Sequence, residues 1–446
     1  MMFIRLFQGT RKGHSAWGRF WTISVLQLLV LLILSGCSAP WNAAPAVVAT
    51  PTPQFSGGEP VLPQLQVLYR EAPLLSGSIA IPGQSWPLVG HDPANTAAAA
   101  AAPLRGVMRW FFRTPGPLLA APVAAAGLVL INGGDGVFYA VDSRSGTLRW
   151  QTSVGDTLVA GTAAVADGIV YVAAKGHGLM ALNLSTGQPL WTVDTRSPVR
   201  APPLVVGPLL FVAAGANDLL CLDRRSGAEY WEFKSEDVLA DFWPTQGQPA
   251  IGLVHGGLVF VALGASTEFN ALYLRTGRKA WEQSINGRMV GSPVYDAQAG
   301  LVFAATWAGY IYAMDISTGA VRWRFSLPRA GAIGVGLAAG PALANNTLFI
   351  GDYQGQIMAL DARTGKLRWT YQGSGAIAAT PLVRLENGSA VEVYVTSQVG
   401  YLAAFDVADG LREWRVYLGE LRSSPVLAEN ELFVASAGDR GLFALY

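Results

Sequence analysis

Four kinds of residue in this 446-residue chain are suited to chemistry: two cysteines, four histidines, scattered aspartates and a tryptophan that returns at intervals. Cys37 and Cys221 are the only thiols, too few for a disulfide framework. A reactive thiol needs a partly exposed, electropositive setting. Cys221 stands inside the apolar stretch DLLCLD, where a small buried hydrophobe is the expected role. Asp135, Asp218, Asp352 and Asp439 could hold calcium only if several oxygens converged. Each falls in or beside a turn, and bonding to turn amides accounts for it. His14, His91, His177 and His255 are isolated, and His177 reads as a turn residue. The chain has no HExxH, GxSxG, phosphate-binding loop or zinc spacing, and the glycines of 331–336 lack the GxGxxG order.

The tryptophan leads to the elements. It recurs at Trp150, Trp191, Trp231, Trp281, Trp323, Trp369 and Trp414. Ten places before each stand Ala140, Ala181, Cys221, Ala271, Ala313, Ala359 and Ala404. That offset never varies while the rest of the repeat stretches, so a rigid hairpin lies inside each repeat and elastic loops lie outside it. In ALDARTGKLRW, residues 359–369, an apolar strand meets a turn with an aspartate and a glycine, then an alternating strand. Two more short strands precede the pair, as in 339–343 and 347–351. Four strands per repeat of 40 to 50 residues predict propeller blades. The last repeat reaches Ala444 and the chain ends at Tyr446 before its tryptophan; Trp110, in VMRWF, supplies the missing strand. The fold expected is all-β, an eight-bladed β-propeller of four-stranded antiparallel blades, its ring closed by the strand around Trp110. The Asn387-Gly388 pair predicts a longer hairpin at 384–389.

A formal net charge of +1, with no basic stripe, argues against nucleic acid and against attraction to an anionic surface. Residues 1–36 place basic residues before the apolar run 21–34, a secretory pattern too short to span a bilayer. The ending Leu34-Ser35-Gly36-Cys37 resembles a bacterial lipobox, which implies a lipid on Cys37 and localisation in the cell envelope, outside the cytoplasm. Residues 37–85, rich in Pro, Gly and Ala, read as a flexible tether. Residues 86–446 read as the propeller, with a lead-in at 86–104 whose alanine run, 97–102, is expected at the surface, as a short helix if structured at all.

The repeats resemble the pyrroloquinoline-quinone (PQQ)-type propeller repeat, with its aliphatic-Ala-Leu-Asp strand, Thr-Gly turn and tryptophan. Asn183 and Tyr273 depart from it at the turn position. The resemblance implies that Trp110, Trp150, Trp191, Trp231, Trp281, Trp323, Trp369 and Trp414 dock neighbouring blades. It also brings in the quinoprotein dehydrogenases, which stack the quinone between a tryptophan and a disulfide of adjacent cysteines and bind calcium. Adjacent cysteines and a dense acidic loop are both missing here, so neither cofactor is expected. Function is then expected on the long inter-blade loops, with Phe242, Trp243 and Arg329 as candidate partner-binding residues, the alternative for Phe242 and Trp243 being a plug folded back on the channel mouth. A lipobox joined to eight such repeats resembles the propeller lipoproteins of the outer-membrane β-barrel assembly machinery. The expectation is a monomeric, non-catalytic scaffold binding other envelope proteins. The alternatives are a quinoprotein dehydrogenase and a surface propeller that binds a ligand or carbohydrate.

Overall fold

Seven stretches of chain each fold into a sheet of four consecutive antiparallel strands, and an eighth sheet is assembled from the two ends of the ring. The computed structural model describes Ala72 and residues 97–446, without 156–160, 175, 177, 200, 216, 236–249, 264–266, 329 and 333–335, and without the side chains of 250–254. All regular secondary structure among the described residues is β. Blades 1 to 7 span residues 123–153, 164–194, 204–234, 250–284, 289–326, 342–372 and 382–417. Blade 8 takes Val426–Ala428, Glu431–Ser436 and Gly441–Leu445 from the end of the chain and Met108–Arg113 from before blade 1. In the closing pair Trp110 lies opposite Ala444 and Phe112 opposite Leu442. The eight sheets form a ring, and the eight-bladed propeller expected from the repeat is the observed fold.

The buried residues fall into seven clusters, and each lies between blades rather than within one. One example joins Val123, Phe138 and Ala140 of blade 1 to Val170, Val172 and Leu182 of blade 2. A middle strand therefore has apolar neighbours on both faces, and Leu209–Ala214 and Leu301–Thr306 are buried at every position. The outer strand alternates instead, one face on the next blade and one in water, as in Leu367–Gln372. The Ala–Trp offset is explained by register. Ala140 lies opposite Trp150, Ala359 opposite Trp369 and Cys221 opposite Trp231, and the alignment breaks immediately beyond each pair. The residue before each tryptophan is a β-bulge.

Blade 7 has two features of its own. Its first hairpin, Leu382–Glu386 with Ser389–Thr396, turns through Asn387 and Gly388, both with positive φ, as the Asn-Gly pair predicts. The alanine run is part strand rather than helix, with Ala100 and Ala102 exposed. Ala98–Ala100 is a fifth strand, parallel to Leu382–Glu386. Ala97 and Ala99 are buried, and Arg384, itself buried, donates to the Ala101 carbonyl at 3.1 Å. The first strand of blade 7 thus has a partner on its inner edge. Ala72 exchanges two 3.1 Å hydrogen bonds with Arg275 in the turn of blade 4. Cys37, the leader and the rest of the 37–85 segment lie outside the described residues.

Candidate functional site

The residues of the opening phrase assemble into one socket per blade boundary. Trp323 of blade 5 reaches the turn of blade 6, where its indole N–H donates to the Ala362 carbonyl at 3.0 Å. The face of the same ring lies on Gly365, which has φ +69 and whose missing Cβ would stand 2.6 Å from the indole. The arrangement recurs around the ring. Trp110, Trp150, Trp231, Trp281, Trp369 and Trp414 donate to the carbonyls of Ser143, Leu184, Leu274, Ile316, Val407 and Leu104 at 2.8–3.1 Å. Trp191 sits on Gly227 in the same way, but its N–H finds no acceptor among the described residues. An aromatic ring of the same blade packs against each indole, with centroids 5.7–6.0 Å apart. In the row Phe349–Ala359–Trp369 the alanine explains itself: a larger side chain between the two rings would hold them apart. Cys221 occupies that place between Phe211 and Trp231, and burial pushes its thiol well above the usual range. It is an inert filler there.

The turn aspartates are engaged as well. Asp142 accepts from the amides of Arg144 and Ser145 and, at 2.8 Å, from Arg149. Arg149 is a bulge residue, re-aimed by the bulge onto its own turn. Arg322 and Arg368 reach Asp315 and Asp361 in the same manner at 2.7 and 2.6 Å. The Arg149 bonds, with those from Ser145, hold Asp142 far below the ordinary carboxylate range. Partial burial works to raise Asp361, but the bonds from Arg368 and Thr364 outweigh it and lower its carboxyl to about 2. Where Tyr273 replaces the aspartate, backbone bonds keep the turn, with Gly277 N–H donating to the Tyr273 carbonyl at 2.8 Å, and the Thr276 hydroxyl accepts from the Arg278 amide. The sequence held a signal for this arginine–aspartate pair, since Arg stands before Trp150, Trp323 and Trp369 in the three repeats that have both partners.

No group of three or more His, Cys, Asp or Glu side chains converges among the described residues. Asp135 is bound by Tyr139 at 2.5 Å, and buried Asp352 accepts from the Gln356 amide at 2.7 Å. Among the described residues the one thiol is buried, and the repeated indoles lie against turn glycines. Phe242, Trp243 and Arg329 lie outside the described residues. Two groups that the repeat does not announce are present. Trp307, outside the tryptophan register, packs edge-on against Tyr353 with centroids 4.6 Å apart. Arg412 and Arg415 lie together on the outer strand of blade 7.

Comparison with known proteins bears on this architecture. A family described as outer membrane protein assembly factor BamB matches residues 66–157, 135–309 and 307–445. A BamB from Burkholderia pseudomallei is 25% identical over 264 residues, covering 55% of this chain and 64% of that protein. A quinohemoprotein alcohol dehydrogenase from Pseudomonas putida is 26% identical over 212 residues, covering 40% of this chain and 29% of its own length. The chain thus spans less than two thirds of these curated relatives. The crystal structure of BamB from Moraxella catarrhalis has the same fold, with a TM-score of 0.62 at 19% identity, over 76% of this chain and 99% of that one. Repeat, ring and sequence match together place the chain in the PQQ-repeat propeller family of outer membrane protein assembly factor BamB.

Proposed function

We propose that the chain is a non-catalytic scaffold of the bacterial cell envelope. It stands outside the cytoplasm, is tethered by a lipid on Cys37, and binds other envelope proteins during outer-membrane protein assembly. The observation that carries this reading is the match to the assembly-factor family, which runs round the whole ring. The chemistry of the repeat supports it. The indoles and turn carboxylates that could have served a reaction are committed to blade docking, which leaves the inter-blade loops to meet partners. Phe242, Trp243 and Arg329 are the loop residues assigned to that contact.

The second reading, a quinoprotein dehydrogenase, rests on the similarity to the P. putida enzyme. Three experiments separate the two. A photo-crosslinking residue placed at Trp243 of the membrane-bound chain should capture β-barrel assembly proteins, and Cys37→Ser should release the chain from the membrane fraction. The full chain in detergent should give no calorimetric or absorbance response to PQQ with Ca²⁺. Saturable micromolar quinone binding that chelation abolishes would overturn the scaffold and install the dehydrogenase.

A further inference from the structure

Between the outer strand of blade 6 and the face of blade 7 lies a cleft of about 240 Å³. Its origin is one residue. The position just before the repeat alanine or cysteine carries Tyr139, Met180, Leu220, Asn270, Tyr312, Met358 and Phe443 in seven blades, and Ala403 in blade 7. The absent side chain leaves a hollow floored by Ile357, Ile377, Val395 and Phe405, with Tyr371 and Tyr401 as walls.

Two guanidiniums stand at its rim. On a regular strand Arg412 and Arg415 would face opposite ways. The bulge at Glu413 shifts the alternation, so that Arg412 lies opposite Phe405 and Arg415 opposite Ala403, on one face. Arg412 donates to the Tyr371 hydroxyl at 2.9 Å and lies 6.0 Å from its ring centre. Arg415 lies over Tyr401 at 4.8 Å. Neither forms a salt bridge among the described residues, unlike Arg149, Arg322 and Arg368 on other outer strands. A guanidinium that rests on a ring keeps N–H edges free for a bidentate carboxylate. Blade 5 repeats half of the device, with Arg324 over Tyr310 at 5.1 Å, but there Val321 stands in place of Arg412 and Tyr312 fills the hollow.

We propose that this cleft binds an acidic segment of a partner polypeptide, one apolar side chain entering the hollow while a neighbouring carboxylate bridges Arg412 and Arg415. The volume favours a side chain, because small-molecule pockets run from roughly 300 to 1,000 Å³. That the ligand is a polypeptide rests on the scaffold reading; the apolar hollow and its two cations do not.

The test uses the full chain in detergent, at near-physiological salt to screen loose charge effects, with a fluorescent peptide of alternating Glu and Leu. Saturable anisotropy is expected, weakened at least tenfold when Gln replaces Glu in the peptide. Arg412→Gln with Arg415→Gln should weaken it comparably. Ala403→Met, which installs the residue found in blades 2 and 6 and changes no charge, should do the same with an unchanged melting temperature. Equal binding of the Gln peptide, full binding by Ala403→Met, or complete competition by millimolar inorganic phosphate would each overturn the proposal. The crosslinks from Trp243 are read separately, so a chain that crosslinks normally but ignores the peptide loses only the cleft.

Discussion

Asp361 shows how completely one side chain is used in a repeat turn. One oxygen accepts from the Thr364 amide and hydroxyl at 3.0 and 2.9 Å, and the other from Asn346 and Arg368. These bonds set a pH dependence whose sign is fixed. The folded carboxyl titrates at about 2, below the ordinary value of about 3.9 for an unfolded aspartate. The stabilisation is therefore present above about pH 4 and is lost as pH falls through about 2. Asp361→Asn separates the charge from the geometry. Asn183 already holds its own turn through the same amides, at 2.9 and 3.1 Å, so the substituted turn keeps its caps and loses the ion pair. That pair is exposed, and its loss should cost at most about 1 kcal/mol at pH 7. Urea midpoints of the variant should fall less steeply than those of the parent between pH 4 and pH 2. Parallel slopes would mean that the carboxylate is no stronger an acid folded than unfolded.

At the scale of the element, the hairpin turn and the preceding indole form one unit, and two glycines separate backbone strain from packing. Gly168 turns a two-residue hairpin at φ +76, with nothing within 4 Å of where a Cβ would stand. Gly168→Ala should cost only the left-handed conformation, about 1 kcal/mol. Gly365 has nearly the same φ, but its Cβ would press on Trp323, whose hydrogen bond to Ala362 prevents retreat. Gly365→Ala should add an overpacking cost of about 1–3 kcal/mol, visible as the larger shift in denaturant midpoint. Equal shifts for the two would show that the indole moves freely. The hairpin was legible in the sequence because its geometry permits no insertion: Ala359 and Trp369 are cross-strand partners, and a slip of one residue would turn the indole to the wrong face. The strand Ala98–Ala100 was not legible. Six alanines carry no period, and the edge that orders them belongs to Leu382–Glu386, far away in the chain. The Arg412–Arg415 pair was hidden by the bulge, which makes residues three apart share a face. The small residue at Ala403 carries no signal by itself, because the position before the repeat alanine varies from blade to blade.

For the whole molecule, the consequential joint is the closing blade. Seven blades follow the chain, so their outer strands are held covalently beside their partners. In blade 8 the outer strand Met108–Arg113 comes from the other end of the ring and is held by pairing with Gly441–Leu445 and by the Trp110 socket. Closure was readable from the count, because an alanine without a tryptophan at the end required a tryptophan without an alanine at the start. The same asymmetry predicts unequal consequences for equal substitutions. Trp110→Ala and Trp323→Ala each remove an indole bonded to the next turn at 2.9 or 3.0 Å, and each should cost about 3–5 kcal/mol. Without Trp323 the outer strand of blade 5 stays tethered by its turn at 315–319, and the protein should remain monomeric though less stable. Without Trp110 the closing strand can leave, baring Gly441–Leu445 as an open, fully buried-type apolar edge of the kind that pairs between chains. Size-exclusion chromatography with light scattering across a concentration series should show association for Trp110→Ala alone. If both variants stay monomeric, the closing strand is held by its backbone ladder without the socket, and the seam is as strong as the covalently tethered blades.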